Sequence, residues 1–197
     1  MAAAGALALF TVSANAATFT ANFDDPVVLS SLTASDTSGN VDENAVGSQV
    51  GLQVSPWDED GPLNPNDGPN GGEVYTSIRF GGQAGYNFSS AITSISFLWG
   101  SVDDYNNIAF FLDGIQVDQL SGLDVITQLG VNNHEATINI NIMANAFDRV
   151  VFSSTDNAFE IDNLQVSVVP LPAALPLYGA GVALLGFMGW RKRKNAA

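Results

Sequence analysis

Strict two-residue alternation constrains this chain more than any other feature. In Thr137-Ile138-Asn139-Ile140-Asn141-Ile142, the three isoleucines share one face and polar side chains take the other. Successive side chains of a strand point to opposite faces, so this segment buries one face of a sheet and wets the other. Ile95, Phe97 and Trp99 alternate likewise with Ser94, Ser96 and Leu98. The same reading predicts strands over 18–23, 49–54, 74–80, 108–112, 115–120, 125–129, 149–153 and 158–168. Gly, Asn and Asp separate these segments, and Asp113-Gly114 predicts a tight hairpin. No stretch holds a sustained 3.6-residue period. The expected fold is all-β: a two-sheet antiparallel sandwich, of jelly-roll or galactose-binding-like type, over residues 17–169. Residues 55–72 interrupt the pattern with four prolines and four glycines, which predicts a long loop.

Charge and cysteine content exclude several functions. The 197 residues contain no Cys, so there is no disulfide framework, thiolate nucleophile or cysteine metal site. Within 17–169 all 20 acids face only Arg79 and Arg149, a formal charge of −18. Such a segment repels polyanions, and no nucleic-acid partner is expected. His134 is the only histidine and lies in a loop-like stretch. A lone histidine removes the usual multi-histidine metal sites, and no GxSxG elbow is present. No catalytic residue is assigned.

The two ends read as sorting segments. Residues 1–16 carry no charge, and Ala14 and Ala16 place small residues at −3 and −1 of a signal-peptidase site. Cleavage there makes Ala17 the new N-terminus. The usual positive n-region is absent, which fits either a late start codon or, alternatively, a buried apolar N-terminal element. Residues 170–197 begin with a Pro-rich stretch, continue through an uncharged run to Trp190, and end in Arg191, Lys192, Arg193 and Lys194. Residues 171–190 are twenty in number. As helix they would span about 30 Å, a bilayer core. The basic cluster would stay cytoplasmic by the positive-inside rule.

Val169-Pro170-Leu171-Pro172-Ala173, an apolar Gly/Ala/Leu run and an Arg-rich end together resemble the PEP-CTERM sorting signal in its VPLPA variant. Leu171 stands where the commoner form has Glu. The resemblance implies a substrate of exosortase in a Gram-negative, exopolysaccharide-producing bacterium. Such a protein crosses the inner membrane, is held there transiently by its C-terminal helix, and passes to the cell surface or extracellular matrix. More loosely, residues 97–106 (Phe-Leu-Trp-Gly-Ser-Val-Asp-Asp-Tyr-Asn), Phe152-Ser153-Ser154 and residues 158–164 resemble a group of exosortase-dependent surface proteins with lectin-like β-sandwich ectodomains. The expected function is structural or adhesive, in or near the exopolysaccharide matrix. A lectin-like glycan-binding module is the second reading and a secreted hydrolase the third.

Three sets of residues are candidate sites. Sugar binding uses an aromatic platform beside polar groups, which selects Trp57 and the run Asp103, Asp104 and Tyr105. The alternative for Trp57 is to fold its loop onto the sandwich, and for Tyr105 to cap the sandwich edge. A glycosidase needs two carboxyls about 5–10 Å apart, and twenty acids select no pair. Arg79 and Arg149 are expected to pair with local carboxylates. Along 158–168, Phe159 and Ile161 hold one alternating phase while Leu164, Val166 and Val168 hold the other. A β-bulge at Asp162-Asn163 accounts for the change of phase. If that bulge faces Asp24 and Asp25, these oxygens suit a Ca²⁺ ion. The alternative is that Asp162 and Asn163 only satisfy backbone groups at the irregularity.

Overall fold

A computed structural model describes residues 17–22, 31–57, 74–132 and 138–167. These lie in one compact unit, Met1–Ser167. The signal segment with Ala14 and Ala16, Asp24 and Asp25, most of the Pro/Gly loop, His134, the 169–173 motif and the basic tail 191–194 lie outside them. Among the described residues no helix is long and apolar enough to cross a membrane. The predicted span over 171–190 falls outside.

Among the described residues the fold is all-β but for one short helix. The elements are β1 (Thr18–Asn22), β2 (Asp36–Ser38), β3 (Val41–Val46), β4 (Val74–Ile78), β5 (Gln83–Gly100), β6 (Asn106–Leu112), β7 (Ile115–Ser121), α1 (Gly122–Leu129), β8 (Ile138–Ser154) and β9 (Phe159–Ser167). Every strand pairing is antiparallel, and the main path runs β3-β4-β9-β5-β8-β6-β7. β1 adds to the first half of β8 and β2 to the first half of β5.

Two long strands make two layers from this one hydrogen-bonded path. β5 pairs β8 from Gln83↔Ser153 to Trp99↔Ile138, with register shifts between Asn87 and Ser94. Ala84, at one end of this ladder, pairs with Phe152, and Phe97 lies thirteen residues further along β5. Thirteen residues of straight strand reach about 43 Å. Yet the Phe97 and Phe152 rings sit 5.2 Å apart, edge to face. The irregular middle of the ladder therefore turns the two ends onto each other, as bulged corners do in sandwiches. The end with β2, β6 and β7 contributes Tyr86, Ile108, Phe110 and Phe152 to the core; the end with β1, β4 and β9 contributes Phe97, Trp99, Ile138, Ile140 and Phe159.

Local sequence explains most elements. The alternating isoleucines of β8 are buried at 138, 140 and 142, as expected, and Trp99 is fully buried. Asp113 and Gly114 both have positive φ, 51° and 78°, and connect β6 to β7 through the paired Leu112 and Ile115. That is the two-residue hairpin these residues favour.

Two expected strands are absent. Residues 125–129 belong to α1 rather than to a strand. Ser121 caps it: its hydroxyl accepts from the Asp124 N–H, and its own N–H donates to the Asp124 carboxylate. Gly130, at φ 67°, closes the C-terminus with an N–H donated to the Ile126 carbonyl. Eight residues between such caps are too few to show a helical period, so the caps decided the outcome. Residues 49–54 form a turn closed by an isolated Gln49–Gln53 bridge. The turn at Gly51, φ 72°, reverses the chain before a strand can extend.

Candidate functional site

Strand β9 places two carboxylates on the face of the sheet that looks away from the main core. Phe159 and Ile161 enter the core, so Glu160 points the other way. Its direct neighbours across the ladders are Ser77 on β4 and Gly100 on β5. Leu98 on β5 pairs with Asp162. That outward face is nonetheless dry: Ser77 and Glu160 are fully buried, and Asp162 is 6% exposed.

Segment 47–57 makes it dry, lying over the sheet like a strap and held by named hydrogen bonds. The Tyr75 hydroxyl donates to the Gly47 carbonyl, 2.6 Å. The Val54 N–H donates to Glu160 Oε1, 2.8 Å, and the Ser101 hydroxyl donates to Oε2, 2.9 Å. The Ser55 N–H donates to the Ser48 hydroxyl oxygen. The indole N–H of Trp57 donates to Asp162 Oδ2, 2.9 Å. Pro56 lies against Gly100, where a Cβ would come within 2.9 Å of the proline ring. Gly100 is thus the residue that lets the strap approach the sheet.

Burial sets the electrostatics. Desolvation pushes the Glu160 carboxyl up to about 8, against the opposing hydrogen bonds from Val54 and Ser101 and with help from nearby Asp103. Asp103 is 1% exposed, beneath α1; a Cβ on Gly122 would collide with its backbone carbonyl at 1.8 Å. Tyr105 is half-buried, and its hydroxyl donates to the Asn157 carbonyl. Burial, and then the Asp103 charge, hold that phenol well above its usual range.

The predicted site residues separate into different roles. Trp57 is 3% exposed, so it is not the open platform that sugar stacking requires; it pins the strap. Asp103 is likewise buried, Tyr105 braces the 154–158 turn, and Asp104 is exposed. The bulge falls where the change of phase put it. Ser96 pairs with Gln165 and Leu98 with Asp162, so β9 carries one extra residue, and Asn163 takes φ 54°. Asn tolerates that left-handed conformation better than most residues. The shift keeps Leu164 in the core alongside Phe159 and Ile161. Asp162 Oδ1 accepts the Asn163 N–H, 2.7 Å, and Oδ2 accepts Trp57. These are bonds at a strand irregularity; Asp24 and Asp25 lie outside the described residues. Among the described residues no group of three or more metal-ligating side chains is poised around one point.

Both described arginines are paired. Arg149 grips Asp36 with two nitrogens, at 2.7 and 2.8 Å, and Arg79 meets Asp42 at 3.3 Å. Sequence reasoning missed Glu160 altogether. A charged residue between Phe159 and Ile161 reads as the solvent side of a strand, and only the distant Trp57 hinted at a cover. Asp162 also reaches a cleft of about 270 Å³ with Glu43, Thr76 and Thr33 on its walls. Neither Trp57 nor Tyr105 lines it. Comparison of the chain with protein-family models, curated proteins and solved structures finds no match.

Proposed function

We propose that this chain is a non-catalytic exported protein, processed by signal peptidase and exosortase, with a structural or adhesive role in or near an exopolysaccharide matrix. Its ectodomain would be a two-sheet sandwich of jelly-roll or galactose-binding-like type, and its C-terminal helix a transient anchor in the inner membrane. The observation that carries the reading is how the carboxylates divide. Of the four buried acids described, Asp103, Asp118, Glu160 and Asp162, the last two are occupied in fastening the strap. Exposed Asp104, Asp113, Asp124 and Asp156 leave an acidic surface, with both described arginines already paired. Such a surface favours a soluble, hydrated matrix component over a binder of anions.

The cleft beside Glu43 and Asp162 favours glycan binding as the second reading, since its hydroxyls and carboxylates can accept and donate to sugar hydroxyls. Purified protein on a glycan array, with and without Ca²⁺, separates the two. The structural role predicts weak retention by bulk exopolysaccharide without one preferred glycan. A single glycan, competed by its free sugar, would move the assignment to a lectin. Turnover of a glycosidic substrate would overturn both. Deleting Arg191–Lys194 is expected to leave unprocessed precursor in the membrane fraction, read by immunoblot; normal processing would show the basic cluster to be dispensable.

A further inference from the structure

Asp118 is an inward-pointing carboxylate on β7, in phase with the core residue Leu120. It is 6% exposed, and a charge so buried ordinarily has a cationic partner. Its described partners are all N–H donors. Oδ1 accepts the N–H of Gln119, 2.9 Å, and that of Ala17, 2.7 Å. Oδ2 accepts the backbone and side-chain N–H groups of Asn145, at 3.3 and 3.4 Å. The two described arginines are engaged with Asp42 and Asp36. The shortest of the four bonds therefore comes from the backbone nitrogen of Ala17, and Ala17 itself packs against the core just ahead of β1.

That nitrogen is the one which cleavage after Ala14-Asn15-Ala16 would release. We propose that Asp118 is the seat of the mature chain's α-ammonium: hydrolysis of the Ala16–Ala17 bond turns this hydrogen bond into a partly buried ion pair that fastens β1. In the hydrolysis the C–N bond breaks, the water hydroxyl goes to the Ala16 carbonyl carbon, and the water proton goes to the Ala17 nitrogen. Near neutral pH the new acid gives up a proton and the new amine takes one. Ala16 leaves as a carboxylate, and Ala17 stays as an ammonium facing Oδ1. The bond already draws on the carboxylate's charge; cleavage puts the opposite charge on the donor and adds a Coulombic attraction that partial burial screens less than open water does. Processing thus completes the fold at its first strand, and precursor and mature protein differ in stability although their contacts are the same. The inference rests on the export reading above.

The test compares three proteins that are otherwise full-length, in one detergent at pH 6.5, where an ordinary α-amine is charged. One retains residues 1–16. One begins at Ala17, released from a fusion by a protease. The third begins at Ala17 with its nitrogen acetylated, which keeps the N–H donor and removes the charge. The free Ala17 protein should melt about 3–6 °C above the other two. Asp118→Asn should erase the difference between free and acetylated forms. Equal melting of all three wild-type proteins, or a difference that survives Asp118→Asn, would overturn the proposal; the acetylation comparison decides it even if Asp118→Asn fails to fold. Export is read separately: a mature N-terminus other than Ala17 would defeat the cleavage site while leaving the melting result to judge Asp118.

Discussion

Phe152→Ala is expected to destabilise the protein by about 3–5 kcal/mol in urea or thermal unfolding, the range for a fully buried Phe. Phe152 joins the two layers through Phe97 and Phe159. It is fully buried, and it meets Tyr86 at 5.6 Å, Phe97 at 5.2 Å and Phe159 at 5.5 Å, each near edge-to-face. Such pairs add about 0.5–1.5 kcal/mol beyond the area they bury. Truncation removes three of them and leaves a cavity between the layers that relaxation fills only in part. Since whole domains hold only about 5–15 kcal/mol, the variant should sit near the limit of folding. A loss under about 1 kcal/mol would mean that the layers do not depend on this ring.

The second large effect is a pH dependence carried by Glu160. Its carboxyl is raised from 4.5 to about 8 in the folded protein, chiefly by burial. The folded state therefore holds a proton that the unfolded state releases. This stabilisation is fully present below pH 4.5, falls as pH rises, and is gone above pH 8. At about 1.4 kcal/mol per tenfold change in proton affinity, the loss is on the order of 5 kcal/mol. Glu160→Gln keeps an acceptor for the Val54 N–H and carries no charge at any pH. It should match the wild type near pH 5 and exceed it by several kcal/mol at pH 9. Denaturant melts at pH 5, 7 and 9 read the difference directly, and parallel profiles would contradict the assignment.

The sheet was legible where one face alone is buried. Ile138, Ile140 and Ile142 announce their strand because a polar neighbour alternates with each, as Ser94 and Ser96 do beside Ile95 and Phe97. Asp162-Asn163 was legible for the same reason, as a break in phase. Legibility failed where both faces are covered. Along β9 every residue from Phe159 to Leu164 is buried, and the charge on Glu160 hides that. The strap supplying the second cover begins at Gly47, more than a hundred residues away in sequence, and periodicity is blind to such contacts. The long β8 read as two shorter strands, and of β5 only the segment from Ser94 to Trp99 was read, because the corner residues between Asn87 and Ser94, and between Met143 and Phe147, suspend the alternation. Trp57 misled for a related reason: a tryptophan beside a Pro/Gly loop looks exposed unless the buried carboxylate that receives its N–H is known. Asp118 gave no signal at all, since three of its four donors are backbone nitrogens and the fourth an amide.

The intact mass of the protein recovered from the cell surface or medium of its own host tests the account most directly. Processing at both ends predicts a chain that begins at Ala17 and ends within or just beyond the Pro-rich motif at 169–173. A mature surface protein that retains residues through Ala197 would contradict it.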